Sequence, residues 1–79
     1  MRDPKRIETT LTLIKGMWEK HPDLRFNQLL YILMGKWTDN HDGRGKVVRE
    51  LEDDYPWVGY DLFNVEDDLF IEFLRGEEL

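Results

Sequence analysis

Apolar positions recur at helical spacing in three stretches of the chain, each bracketed by signals that start or stop a helix. The first opens at Asp3-Pro4, where an aspartate can accept from the orphan amides of a first turn. A proline at the first helical position gives up no needed donor. Ile7, Leu11, Ile14 and Trp18 then form a stripe, widened by Leu13 and Met17. Gly16 inside this helix costs about 1 kcal/mol relative to alanine, which predicts close packing of another backbone there. His21-Pro22 ends the helix, because a residue before proline avoids the helical region. His21 reads as a helix C-terminal partner or an exposed turn residue.

Asp23-Leu24-Arg25 is a short extended connector, and either Asp23 or Asn27 can cap the second helix. Phe26, Leu29, Leu30, Leu33, Met34 and Trp37 mark that helix, broadened by Tyr31 and Ile32. This most hydrophobic segment is the expected central helix, ending at Gly35 or running on to Trp37. The third helix begins with Asn64 as cap and places Glu66-Asp67-Asp68 on the positive end of the helix dipole. Val65, Leu69, Phe70, Phe73 and Leu74 form its inner face, and Arg75 and Gly76 close it. Glu66, Asp67, Asp68 and Glu72 are left facing water.

Between the second and last helices the pattern is less regular. Thr38 to Lys46 is polar and glycine-punctuated, an exposed loop. Val47, Val48 and Leu51 fit a short helix over 46–53, with a strand as the alternative, since adjacent valines suit both. Pro56 and Gly59 forbid a regular helix after that. There Tyr55, Trp57, Tyr60, Leu62 and Phe63 are interleaved with carboxylates. They read as cover for the core or, more sharply, Tyr55, Trp57 or Tyr60 stands out as a binding anchor ringed by acid. The expected fold is all-α: one domain over 1–79, a compact three- to four-helix bundle with an aromatic, acidic loop insertion before the last helix.

Composition bounds the possibilities. With 41% apolar and 35% charged residues over 79 positions, the chain has the make-up of a single folded domain rather than a disordered one. It has no cysteine, so neither a disulfide nor a thiolate metal site supplements the core. A chain this short needs an aromatic-rich core or self-association. No apolar run is long enough to span a bilayer and no basic start leads into an apolar segment, which points to a cytoplasmic protein.

Charge sharpens the picture. Residues 1–37 carry seven Lys/Arg against four Asp/Glu, net +3, while residues 38–79 carry four against thirteen, net -9. Such asymmetry suggests a basic partner for the acidic half, or the two halves facing each other. An acidic surface does not bind nucleic acid directly, and the N-terminal cations are too dispersed for a phosphate-binding patch. A DNA-reading helix–turn–helix is disfavoured as well, because Phe26 to Met34 offers almost no polar face to base edges.

Catalytic and metal chemistry finds little support. Placing Gly43 at the sixth position of a calcium loop would make Thr38 and Arg49 its first and twelfth ligands, and neither fits. A phosphate-cradling loop fails because Val47 follows Lys46 and Asn40 stands where glycine is needed. His41 with Asp39 and Asp42 makes a poor metal site on an unsupported loop. Serine and cysteine are both absent, which removes the usual acyl-transfer triads, and the acids cluster where solvation keeps them ordinary. The expectation is no enzyme, no cofactor and no metal.

Three segments carry a resemblance: Met1-Arg2-Asp3-Pro4-Lys5-Arg6-Ile7, Trp18 through Leu30 with Pro22-Asp23-Leu24-Arg25-Phe26 at its centre, and Asp61-Leu62-Phe63-Asn64-Val65-Glu66-Asp67-Asp68. They resemble a group of short uncharacterised proteins of Gram-positive bacteria and their phages. In that group the second helix leads quickly into the acidic helix start, so residues 38–60 read as an insertion. The resemblance implies a mostly helical fold and a phage-related setting, and it assigns no activity.

Together these readings lead to an expectation of a small acidic, non-enzymatic protein-binding module of phage type. It would occupy a basic, nucleic-acid-binding site of a host protein, as an anti-defence (anti-CRISPR-like) or transcription inhibitor acting as a nucleic-acid mimic. The residues expected to touch the partner are Glu52, Asp53, Asp54, Tyr55, Trp57, Tyr60, Asp61, Glu66, Asp67, Asp68 and Glu72. The alternative is a structural or self-oligomerising helical module, such as a homodimer, in which helix 1 of one copy meets the acidic face of another.

Overall fold

The computed structural model describes residues 2–50 and 56–77. Five elements run in order: α1 (Lys5–Lys20), α2 (Phe26–Asp39), β1 (Lys46–Glu50), β2 (Pro56–Tyr60) and α3 (Asp67–Gly76). The fold is therefore a small α+β arrangement, which corrects the all-α bundle expected from the pattern.

The correction lies in the two strands. Pro56 and Gly59 exclude a helix over 56–60, so that segment is extended and its backbone groups need partners. The β-branched Val47 and Val48 favour an extended backbone, and 46–50 supplies the partner strand. The pairing is antiparallel, from Lys46 opposite Tyr60 to Glu50 opposite Pro56, with the proline at the strand end where its missing N–H does least harm. The short helix over 46–53 is thus replaced by a strand as far as Glu50, and Leu51 to Asp53 lie outside the described residues.

An isolated two-stranded sheet is marginal in water, and here α2 supports it. The Tyr31 hydroxyl donates to Val58 O at 3.0 Å, and the Tyr31 and Tyr60 rings meet with centroids 5.1 Å apart. The Tyr60 hydroxyl then reaches Gly35, where a Cβ would stand only 3.0 Å from the oxygen. Gly35 does not end the helix; it makes room for the sheet.

The core lies where the three helices converge. Met17 comes from α1, Leu29, Leu33 and Trp37 from α2, and Phe73 and Leu74 from α3, with Leu13, Ile14, Leu24, Leu62, Val65 and Phe70 around them. Trp37 is wholly buried, its ring stacked on His41 at 4.0 Å with the Arg44 guanidinium 5.6 Å from the ring centre. The segment after α2 accordingly wraps the helix end: Thr38 Oγ1 donates to Arg44 O at 2.9 Å, and Gly43 N donates to Thr38 O at 2.9 Å. His41 Nδ1 sits 2.6 Å from Trp37 O, so that nitrogen is the protonated one.

Two details of helix placement differ from expectation. Gly16 has nothing within 4 Å of where a Cβ would be, so no backbone packs there. At the start of α2 the reciprocal bond comes from Gln28, whose Oε1 accepts from Arg25 N at 2.8 Å, rather than from Asp23 or Asn27.

Candidate functional site

The acidic residues expected to meet a partner divide into three groups in space. Glu52, Asp53, Asp54 and the neighbouring Tyr55 lie outside the described residues. Glu66 and Asp67, at the start of α3, are already engaged by the chain's own arginines. Arg2 Nη2 donates to both Glu66 oxygens at 3.1 and 3.0 Å, and Arg6 Nε donates to Asp67 Oδ2 at 2.6 Å. A third ion pair, Lys36 Nζ to Glu77 Oε1 at 2.9 Å, also joins the basic half to the acidic half.

Asp61, Asp68 and Glu72 form the third group, exposed and without a cationic partner among the described residues. Asp68 Oδ1 accepts from the next amide, Leu69 N, at 2.9 Å. Asp61 shapes the connection into α3. Its amide donates to Gly45 O at 2.7 Å, and its Oδ1 accepts from Phe63 N at 3.1 Å, an Asx turn. A further bond, Val65 N to Leu62 O at 3.0 Å, closes the bend.

This bend sorts its apolar residues. Leu62 and Val65 turn in against the core, while Phe63 is thrown outward and is 91% exposed. It is an aromatic held on a hydrogen-bonded turn with Asp61 before it and Glu66, Asp67 and Asp68 shortly after.

The anchors expected from the sequence sit elsewhere. Trp57 is 51% exposed, its ring lying across Gly59 and beneath the Arg49 guanidinium of the neighbouring strand, 5.8 Å from the ring centre. Tyr60 is half-buried between the sheet and α2 and serves packing. Burial raises its phenol above the ordinary tyrosine value, and Tyr31 and Asp39 nearby push the same way. The sequence pattern of an aromatic between acids is present, and of Trp57, Tyr60 and Phe63 it is Phe63 that stands furthest into solvent. The signal that finds Phe63 is Asp61, whose side chain can turn the chain two residues on and so alternate Leu62 inward and Phe63 outward.

No family model, curated protein or solved structure matches this chain. Among the described residues no three His, Cys, Asp or Glu side chains are grouped to hold a metal ion. No described helix is long and apolar enough to cross a membrane.

Proposed function

We propose that this chain is a small, non-enzymatic protein-binding module of phage type whose contact surface is the acidic turn 61–68. Its partner is a cationic, nucleic-acid-handling site on a host protein, and the module inhibits by occupying that site. The observation that carries the reading is Phe63, held almost fully in water on a turn built by Asp61 and followed by the acidic start of α3. A rigid aromatic rimmed by charge has the make-up of an interface hot spot. Asp61, Asp68 and Glu72 add a negative field that speeds encounter with a positive groove. The exposed pairs Arg2–Glu66 and Arg6–Asp67 are worth little each and can yield to a stronger cationic partner.

The test is retention of host proteins on immobilised protein at low and high ionic strength, with two variants. Asp61→Lys, Asp68→Lys and Glu72→Lys together should abolish retention. Phe63→Ala should weaken it by a factor on the order of 30, as expected for a hot-spot residue. All four residues are exposed, so circular dichroism should be unchanged. Added DNA should compete. Retention that ignores salt, DNA and charge reversal would exclude this mode of binding.

A further inference from the structure

A different surface, on α1, carries a second inference that does not depend on the acidic turn. Two parallel stripes run along this helix, one residue out of phase. Arg6, Thr10, Leu13 and Met17 form one, and Ile7, Leu11, Ile14 and Trp18 the other. The fold turns the first inward, the less apolar of the two. Arg6 goes to Asp67 of α3, and Met17 goes to the core. Of the second stripe only Ile14 touches the core, while Ile7 and Leu11 are 54% and 61% exposed. Trp18 is exposed too, stacked on exposed Phe26 at 5.3 Å and fixed by its Nε1 donating to Leu24 O at 2.8 Å. The result is an apolar seam with the alternating four-three-four spacing of a helix–helix interface, open at Ile7, Leu11 and Trp18 and shared with the core at Ile14.

We propose that this seam is covered by the same seam of a second copy of the chain, the two α1 helices running antiparallel about a two-fold axis. The charges beside the seam select that occupant and that direction. Glu8 and Lys15 border it on one flank, with Lys5 and Glu19 further round the same side, all exposed and none in an ion pair among the described residues. An antiparallel pairing that sets Ile7 against Trp18 and Leu11 against Ile14 of the second copy brings Glu8 opposite Lys15, within two residues of register. The two-fold axis makes every such pair twice. A parallel pair would instead turn this charged flank toward the edge of the other helix that carries Thr10 and Leu13, where no partner charge waits.

The surface area agrees. The chain exposes 6541 Å² at 9.6 kDa, whereas a compact monomer of that mass exposes about 5,100 Å². A standard interface removes about 800 Å² from each partner, well within that excess.

Sedimentation of the full chain over a concentration series tests the pairing. The wild type should show a reversible dimer, and Leu11→Glu should weaken association by a factor on the order of ten or more while keeping its helix content. Glu8→Lys and Lys15→Glu should each weaken the dimer alone, and an equimolar mixture of the two should restore it. A wild type that stays monomeric up to about 1 mM overturns the proposal. So does a dimer indifferent to Leu11→Glu. A mixture that fails to restore association overturns the antiparallel register.

Discussion

Gly16, Gly35 and Gly45 show how much a single residue's surroundings decide. The sequence reads Gly16 as the site of close packing and Gly35 as a possible helix end, and both lie inside helices. Space separates them: a Cβ at Gly16 meets nothing, while one at Gly35 meets the Tyr60 hydroxyl at 3.0 Å. Gly16→Ala should therefore raise stability by about 1 kcal/mol, measured by urea unfolding, and Gly35→Ala should gain distinctly less. Gly45 has φ +85 and sits against Asp61 O, 2.9 Å from a would-be Cβ. Gly45→Ala should lose at least about 1–2 kcal/mol from the positive φ alone. Tyr60 gives a pH test at the same scale. Its phenol pKa is raised in the folded protein, chiefly by burial, so the folded state holds the proton more tightly. The stabilisation is complete below the unfolded value near pH 10 and is lost as pH rises through the folded value. Alkaline titration followed by tyrosine absorbance should show a late step that Tyr60→Phe removes, together with part of the alkaline loss of stability.

At the scale of elements, periodicity located the three helices and the inward face of α2, but not that of α1. The Ile7–Trp18 stripe is the more apolar one, yet α1 turns the neighbouring stripe inward because Arg6 reaches Asp67 while Met17 fills the core. In α3, Leu69 is exposed and Ile71 buried, although the pattern favoured Leu69. The helix begins at Asp67 after an Asx-turned bend instead of being capped by Asn64, and α1 lies along its side. The ion pairs between α1 and α3 orient more than they stabilise. A double-mutant cycle on Arg6 and Asp67 should return less than about 1 kcal/mol of coupling, shrinking further in high salt; a coupling above about 2 kcal/mol would mean the pair is far less solvated than its exposure indicates. The segment read as an insertion, 38–60, holds the turn around Trp37 and the two strands, and it is fastened to α2 through Tyr31 and Tyr60.

At the scale of the whole molecule, the chain is open and flat. Its radius of gyration is 14.1 Å with extents of 44 × 34 × 18 Å, against about 11.6 Å expected for a compact domain of this length. Among the described residues more large apolar side chains are exposed than buried, including Ile7, Leu11, Trp57 and Phe63. If the α1 seam is completed by a second copy, the melting temperature should rise with protein concentration, and in Leu11→Glu it should not. The charge asymmetry is partly answered within the molecule: among the described residues three ion pairs each join a cation of residues 1–37 to an acid of residues 38–79. Self-association through helix 1 of one copy on the acidic face of another meets Arg2 and, on α1, Arg6, both already engaged by Glu66 and Asp67 of the same chain. The sequence by itself determined local matters: which three stretches are helical, that Pro56 and Gly59 bar a helix, and where the acids cluster. These depend on backbone sterics and short-range hydrogen bonds, which involve only neighbouring residues. Only the tertiary structure decided which stripe of α1 faces in, that 46–50 is a strand, and that Phe63 is more exposed to solvent than Trp57 or Tyr60. Each of those depends on a partner far along the chain, Asp67 for Arg6, Tyr60 for Lys46 and Gly45 for Asp61, and no local pattern specifies it.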